Sequence, residues 1–208
     1  MSGEATPVSV PPYVAPEDQA RAEFYALLAR LWYAAPDGAL LRGIAEAPDA
    51  VGEGEQRVLA EAWRELREAA ARTDAEAARD EYDAAFVGTG RAEVSLYSSY
   101  YLVPTARERV LVALRDELAE LGLARAGATH EPEDHFAALC EIMRHLIESG
   151  STDAALQRQQ KLFTTYMNRA YNPLTNQVMA STKTSFYKYV ARFTKAFCDI
   201  EAASLEML

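Results

Sequence analysis

Apolar residues recur along most of the chain with the three-to-four-residue spacing of amphipathic helices. In the first such stripe, between residues 18 and 33, the apolar positions are Ala20, Phe24, Leu27, Leu28, Leu31 and Trp32. The same spacing predicts further helices over residues 59–66, 75–86, 105–122, 132–150 and 153–171, and from residue 184 onward. Because alternating strand patterns and internal repeats are missing, the chain is predicted to be an all-α, single-domain helical bundle.

Local signals predict where several of these helices begin. Thr105 and Glu108 have the spacing of a capping box, which predicts a helix start there. Pro132 fits the first position of another helix, and Asp153 fits the N-cap of the next. Residues 94–103 lack helical periodicity and are rich in Tyr and Ser, which favours an ordered loop over a short strand.

The N-terminal part differs in composition from the rest. Residues 1–17 contain four prolines, so we expect a flexible lead before a domain at residues 18–208. The lead does not have the pattern of a secretory signal, and no apolar stretch reaches the roughly 18 residues of a membrane span. Cys140 and Cys198 lie in apolar helical patterns, which predicts buried free thiols and a cytoplasmic protein.

The charge of the chain restricts its partners. The formal net charge is -10 at pH 7, and a quarter of the residues are charged. Nucleic acid and an anionic membrane would be repelled, so neither is predicted as a partner. A basic peptide would be attracted.

Signs of catalytic chemistry are few. The Gly88-Thr89-Gly90 pair lacks the further glycine and helix start of a phosphate loop, and it fits a helix terminator better. The pairs Glu131/His135 and Glu141/His145 are four residues apart, which is wrong for a di-iron Glu-x-x-His motif but compatible in principle with zinc. Solvated side chains explain both pairs more simply, so we predict no metal site and no enzyme.

Residues 131–135 read Glu-Pro-Glu-Asp-His and have a simple local explanation. With Pro132 at the first helical position, Glu133 and Asp134 would complement the positive end of the helix dipole. His135 would then pair with Asp134 or a nearby carboxylate and hold its charge at neutral pH. Local physics alone therefore favours a structural role for this segment.

Three short blocks, taken in order along the chain, change that interpretation. They read Glu81-Tyr82-Asp83-Ala84-Ala85-Phe86-Val87-Gly88, Ser99-Tyr100-Tyr101-Leu102 and Glu131-Pro132-Glu133-Asp134-His135-Phe136. The blocks resemble the Glu-Tyr-x-x-Leu-Phe-x-Gly, Ser-x-Tyr-Leu and Glu-Pro-x-Asp-His signatures of the TorD/DmsD family of cytoplasmic chaperones for molybdoenzymes. With similar patterns in the first and last helices, the resemblance covers the chain from about residue 18.

The chain departs from the family pattern at two places. Ser95-Leu96 replaces the usual Pro-Pro of the loop, and Ala85 replaces the usual Leu before Phe86. We expect these changes to alter which peptide is bound.

The resemblance implies binding of the twin-arginine signal peptide of a molybdopterin-containing oxidoreductase until its cofactor has been inserted. The residues it implies for peptide binding, with Tyr97 and Glu131 added for their aromatic ring and carboxylate, are Tyr82, Phe86, Tyr97, Ser99, Tyr101, Glu131, Pro132, Asp134 and His135. For Tyr82 and Phe86, core packing is an equally good interpretation.

The resemblance also sets expectations for cofactors and assembly. No cofactor is expected to be bound stably, while transient contact with the molybdopterin cofactor or a guanine nucleotide stays open. Both a monomer and a domain-swapped dimer occur in the family. Two alternative functions remain: an assembly chaperone of the nitrate-reductase type, acting on a catalytic subunit that is not exported, and a metal- or nucleotide-binding helical enzyme.

Overall fold

The computed structural model describes residues 15–50, 54, 56–88, 92–124 and 131–208. Nearly all of the predicted lead and the Thr89-Gly90 dipeptide lie outside these residues. The α-helices in the described part are α1 Pro16–Tyr33, α2 Gly38–Glu46, α3 Gln56–Arg72, α4 Ala75–Tyr82, α5 Ser98–Leu102, α6 Arg107–Glu120, α7 Phe136–Glu148, α8 Asp153–Leu162, α9 Asn168–Ala180 and α10 Phe186–Glu206. The described residues contain no β-strand, and the predicted all-α fold is confirmed.

Two π-helical turns extend these helices. Asp83–Val87 continues α4, and Phe163–Met167 joins α8 to α9. A π turn inserts one extra residue into the helical ladder and changes which backbone groups are paired within the helix.

The helices pack around one hydrophobic core. α1 lies along α7, while α10 packs against α3 and α9. Trp32 of α1 is fully buried, and the ring centroids of Phe86, Phe136 and Tyr187 lie 5.8, 6.2 and 6.1 Å from its own. Its indole N–H donates to Thr194 Oγ1 at 3.1 Å, so the polar atom of this buried ring is satisfied.

The predicted apolar stripes are largely confirmed. In α7 every residue of the predicted stripe is buried, and these residues are Phe136, Leu139, Cys140, Met143, Leu146 and Ile147. Both cysteines are buried free thiols, as expected. In α1, by contrast, Ala20 is exposed and Tyr25 is fully buried, where its hydroxyl donates to the buried carboxylate of Glu201 at 3.0 Å.

Two predicted helix starts and one predicted N-cap are wrong. α6 begins at Arg107 after Ala106, whose φ of 57° is left-handed, and no side chain caps it, so Thr105 does not form a capping box. α7 begins at Phe136 rather than at Pro132. The N-cap of α8 is Thr152, which accepts from the Ala155 N–H, and Asp153 is its first helical residue.

Other boundaries also differ from the prediction. α1 begins at Pro16, two residues inside the predicted lead. α2 was not predicted, although Asp37 caps it by accepting from the Leu40 N–H at 2.7 Å. The helix predicted to end near residue 171 continues to Ala180 with Pro173 inside it, and part of the predicted loop forms the short α5.

Candidate functional site

Residues 131–135 form a turn before α7, not its first turn. The His135 N–H donates to the Pro132 carbonyl at 3.1 Å, and His135 Nδ1 accepts from the Ala137 N–H at 3.2 Å as the N-cap of α7. Burial lowers the pKa of His135, against the opposing effect of Glu131 and Asp134. The imidazole is therefore neutral at pH 7, and the prediction that it holds a charge is wrong.

A short antiparallel bridge joins this turn to the segment before α5. Tyr97 pairs with His135, the Ser98 N–H donates to the Asp134 carbonyl at 2.8 Å, and the Phe136 N–H donates to the Leu96 carbonyl at 2.8 Å. This bridge places the second and third sequence blocks side by side.

Asp134 strengthens the bridge through its side chain. Its Oδ2 accepts from the Ser99 N–H at 3.2 Å, and the residue is only 1% exposed. A carboxylate buried in this way needs its hydrogen bonds to offset desolvation. In this conformation Asp134 therefore connects two backbone segments instead of facing solvent.

Both π turns hold the segment that carries Tyr97. The Ala85 carbonyl accepts from the Glu93 and Val94 N–H groups, each at 3.0 Å. The Tyr166 carbonyl, in the second π turn, accepts from the Ser98 hydroxyl. These bonds and the bridge to His135 fix the segment on both sides.

The first sequence block connects α4 to α10 and α1. The Glu81 carboxylate accepts from the backbone N–H groups of Ser185, Phe186 and Tyr187 at 2.8, 2.9 and 3.1 Å, and it thereby caps α10. The Tyr82 hydroxyl donates to the Tyr33 carbonyl at 2.8 Å, at the end of α1. Glu81 and Tyr82 therefore have clear structural functions.

The three blocks meet at a cavity of about 540 Å³, here called the tyrosine groove. Its lining residues are Tyr82, Phe86, Val87, Ala92, Glu93, Val94, Ser95, Leu96, Tyr97, Tyr100, Glu131, His135 and Lys183. Five of the nine residues proposed for peptide binding are among them, namely Tyr82, Phe86, Tyr97, Glu131 and His135.

The other four proposed residues lie behind or beside this groove. Asp134 and Ser99 are buried in the bridge, and Pro132 accepts the turn hydrogen bond from His135. The Tyr101 hydroxyl donates to the Ser95 carbonyl at 2.8 Å, which attaches α5 to the groove wall. These four residues shape the segments that carry the groove.

A second cavity of about 560 Å³, here called the apolar groove, is also lined by residues of the 131–135 segment. Its lining residues are Ala29, Arg30, Tyr33, Leu118, Leu123, Ala124, Glu131, Glu133, His135, Ala137, Ala138, Glu141, Ile142 and His145. Glu131 and His135 belong to both grooves.

Glu131 is held at this junction by an aromatic hydroxyl. The Tyr97 hydroxyl donates to Glu131 Oε2 at 2.6 Å, and the Tyr97 and His135 rings lie 5.3 Å apart in an edge-on arrangement. Burial and this bond to Glu131 raise the pKa of Tyr97, so the phenol stays protonated.

Several charged residues around the grooves form ion pairs within the protein. In the tyrosine groove, Lys183 Nζ lies 3.1 Å from Glu93 Oε2. At the apolar groove, Glu133 pairs with Arg115 and Glu141 with Arg144, each at 2.9 Å.

Several lining residues were not predicted from the sequence. Tyr33 is 52% exposed at the end of α1 and Tyr100 is 37% exposed on α5, although both are large aromatic residues. Exposed aromatic rings are a signal of binding surfaces, but the helical pattern alone cannot show that these rings reach solvent. No sequence pattern indicated that Lys183 and Glu93 line the tyrosine groove, since the tertiary fold places them there.

Within the described ranges, no three or more His, Cys, Asp or Glu side chains cluster as metal ligands would. Helices in the same ranges are too short or too polar to span a membrane.

A family model described as nitrate reductase delta subunit matches residues 53–178, which is more than half of the chain. The matched range contains all three sequence blocks and both sides of the bridge. No curated protein matches the chain. The family match confirms the TorD-like resemblance, and the chain belongs to the nitrate reductase delta subunit family, whose members are molybdoenzyme assembly chaperones.

Proposed function

We propose that this chaperone binds the twin-arginine leader at the N-terminus of a molybdoenzyme catalytic subunit, in the cytoplasm, and releases it for export after cofactor insertion. The tyrosine groove and Glu131 would receive the basic part of the leader. The observation that carries this proposal is the position of the Glu131 carboxylate, at the junction of two grooves and among aromatic rings.

The chemistry of the junction suits a guanidinium group. Arginine binds carboxylates through paired hydrogen bonds and stacks on aromatic faces, and both partners are present in Glu131 and the Tyr97 ring. Tyr100 makes such a contact within the protein, since the guanidinium carbon of Arg107 lies 4.6 Å from its ring centre. The net charge of -10 would further attract a basic segment.

The contacts divide the nine proposed residues by role. Glu131, Tyr97 and the outer edges of Tyr82 and Phe86 would touch the peptide. Asp134, Ser99, Pro132 and Tyr101 would position these residues through the bridge and α5. His135 lines both grooves but is neutral and 4% exposed, so it would contribute shape and not charge.

A second candidate function is favoured by the family description, nitrate reductase delta subunit. The client would then be a catalytic subunit that stays in the cytoplasm and does not need a twin-arginine leader. The same grooves would then hold an N-terminal segment without the arginine pair. The two candidates differ in whether adjacent arginines are required.

Two synthetic fluorescein-labelled peptides distinguish these candidates. The Arg-Arg peptide has two adjacent arginines followed by a segment rich in alanine and leucine, about three helical turns long. The Gln-Gln peptide is identical except for glutamines in place of the arginines. In anisotropy titrations of the purified protein, we expect the Gln-Gln peptide to bind at least about tenfold more weakly. Equal affinity would favour the second candidate, and no binding of either peptide would contradict both.

A further inference from the structure

The hydrogen bond from Tyr97 to Glu131 joins the two sides of the antiparallel bridge at the surface, and it is here called the Tyr97 latch. We propose that the latch regulates the arginine site: the Tyr97 hydroxyl competes with an incoming arginine for Glu131 Oε2 and thereby lowers the affinity for the leader. This inference rests on the proposed function and concerns the regulation of the same site.

The latch occupies an atom that an arginine would use. The Tyr97 hydroxyl lies 2.6 Å from Glu131 Oε2, which is the short distance of a hydrogen bond to a charged acceptor. A guanidinium that binds a carboxylate through paired hydrogen bonds uses both of its oxygens. An arginine must therefore displace the Tyr97 hydroxyl from Oε2 or make a weaker contact with the carboxylate.

The latch can open without a change in the fold. The backbone of Tyr97 is held in place, because its N–H donates to Ser95 Oγ at 3.3 Å and the residue pairs with His135 in the bridge. The side chain, by contrast, is 36% exposed. Exposed side chains exchange rotamers quickly, so rotation of the Tyr97 side chain alone is enough to release Oε2.

The hydroxyl is a persistent but weaker competitor than an arginine. Burial and the bond to Glu131 raise the pKa of Tyr97, so the phenol keeps the proton that it donates. A guanidinium is charged and the phenol is neutral, so the arginine wins Oε2 at a cost in affinity. When the arginine leaves, the hydroxyl returns to Oε2, which favours release of the leader.

The test removes the hydroxyl and keeps the ring. Tyr97→Phe retains the aromatic side chain beside His135, and Tyr189→Phe is the matched control at a half-buried position of α10 outside both grooves. A double variant combines Tyr97→Phe with Glu131→Gln, and Glu131→Gln alone is its reference. After circular dichroism has confirmed the helical content, each protein is titrated with the Arg-Arg and Gln-Gln peptides.

We expect Tyr97→Phe to bind the Arg-Arg peptide about three- to tenfold more tightly than the wild type, because the closed latch reduces the fraction of Glu131 that can receive an arginine. Binding of the Gln-Gln peptide should change by less than about twofold, since that peptide has no guanidinium to compete for Oε2. Tyr189→Phe should bind both peptides like the wild type. In the Glu131→Gln background, Tyr97→Phe should not tighten binding, because the two residues act on each other.

A hydroxyl that only positions Glu131 would give the opposite result, namely weaker binding by Tyr97→Phe. If Tyr97→Phe binds the Arg-Arg peptide like the wild type or more weakly, or tightens both peptides equally, while Glu131→Gln weakens binding, this inference is wrong and the proposed function stands. If Glu131→Gln has no effect, or if the wild type does not distinguish the two peptides, the inference and the proposed function both fail.

Discussion

His135 combines a buried position with a hydrogen bond that requires an unprotonated Nδ1. Its pKa in the folded protein is below the ordinary value of 6.5, because burial disfavours the charged ring. At pH values between the pKa of His135 in the folded protein and its ordinary pKa of 6.5, the unfolded chain binds a proton that the folded protein does not bind. The free energy of unfolding should therefore decrease as the pH falls through this window.

The variant His135→Asn tests this account. Asparagine is a good N-cap and can accept from the Ala137 N–H, but it does not titrate. Chemical denaturation at several pH values should show a smaller loss of stability below pH 6.5 for the variant than for the wild type. An identical pH dependence in both proteins would mean that His135 is not the buried neutral group.

A second prediction at the scale of single residues concerns Asp134. Its carboxylate is 1% exposed and accepts from the Ser99 N–H. Asp134→Ala should lower the free energy of unfolding by about 1–3 kcal/mol, since the buried donor is left unpaired. Asp134→Asn, which keeps an acceptor, should lose clearly less. Equal stability of all three proteins in urea denaturation would show that this bond is unimportant.

At single residues, the sequence singled out residues 131–135 but did not predict the contacts of their side chains. The block at residues 131–135 identified the segment that joins the two grooves. The burial of Asp134 depends on Ser99, 35 residues away, and the neutral state of His135 depends on its burial. Such partners depend on the tertiary fold, so local helix signals could not assign them.

At the scale of elements, Glu81 links two helices that are distant in sequence. It accepts three backbone N–H groups at the start of α10, and its nearest partner is 104 residues away. Glu81→Ala should lower the free energy of unfolding by about 1–2 kcal/mol, because these groups lose their cap. Asp80→Ala, an exposed neighbour on α4, is the control and should change stability little. A loss in the control as large as in Glu81→Ala would contradict this role.

The apolar stripes predicted most helices because burial of one face determines their periodicity. The boundaries were less predictable. Thr152 caps α8 instead of the expected Asp153, and α10 is capped by Glu81, which is distant in sequence and leaves no local signal. The short α5 depends on the Asp134 bridge and on the π turn at Phe163–Met167, neither of which leaves a periodic signal. Local propensity thus describes the long helices and misses elements fixed by tertiary contacts.

At the scale of the whole molecule, Glu131 and His135 line both grooves. If a basic leader binds beside Glu131, charge attraction should assist its binding. Affinity for the Arg-Arg peptide should fall as salt rises from about 0.05 to 0.5 M, since screening acts within about 10 Å at 0.1 M. Affinity for the Gln-Gln peptide should be nearly constant. A salt response that is the same for both peptides would mean that the arginines do not meet carboxylates.

The most direct test of a binding site at Glu131 is an anisotropy titration of the Arg-Arg peptide against three proteins. Glu131→Gln removes the carboxylate at the junction, while Glu206→Gln makes the same charge change at the exposed far end of α10. We predict that Glu131→Gln weakens binding about tenfold or more and that Glu206→Gln binds like the wild type. Equal affinities for all three proteins would contradict the account.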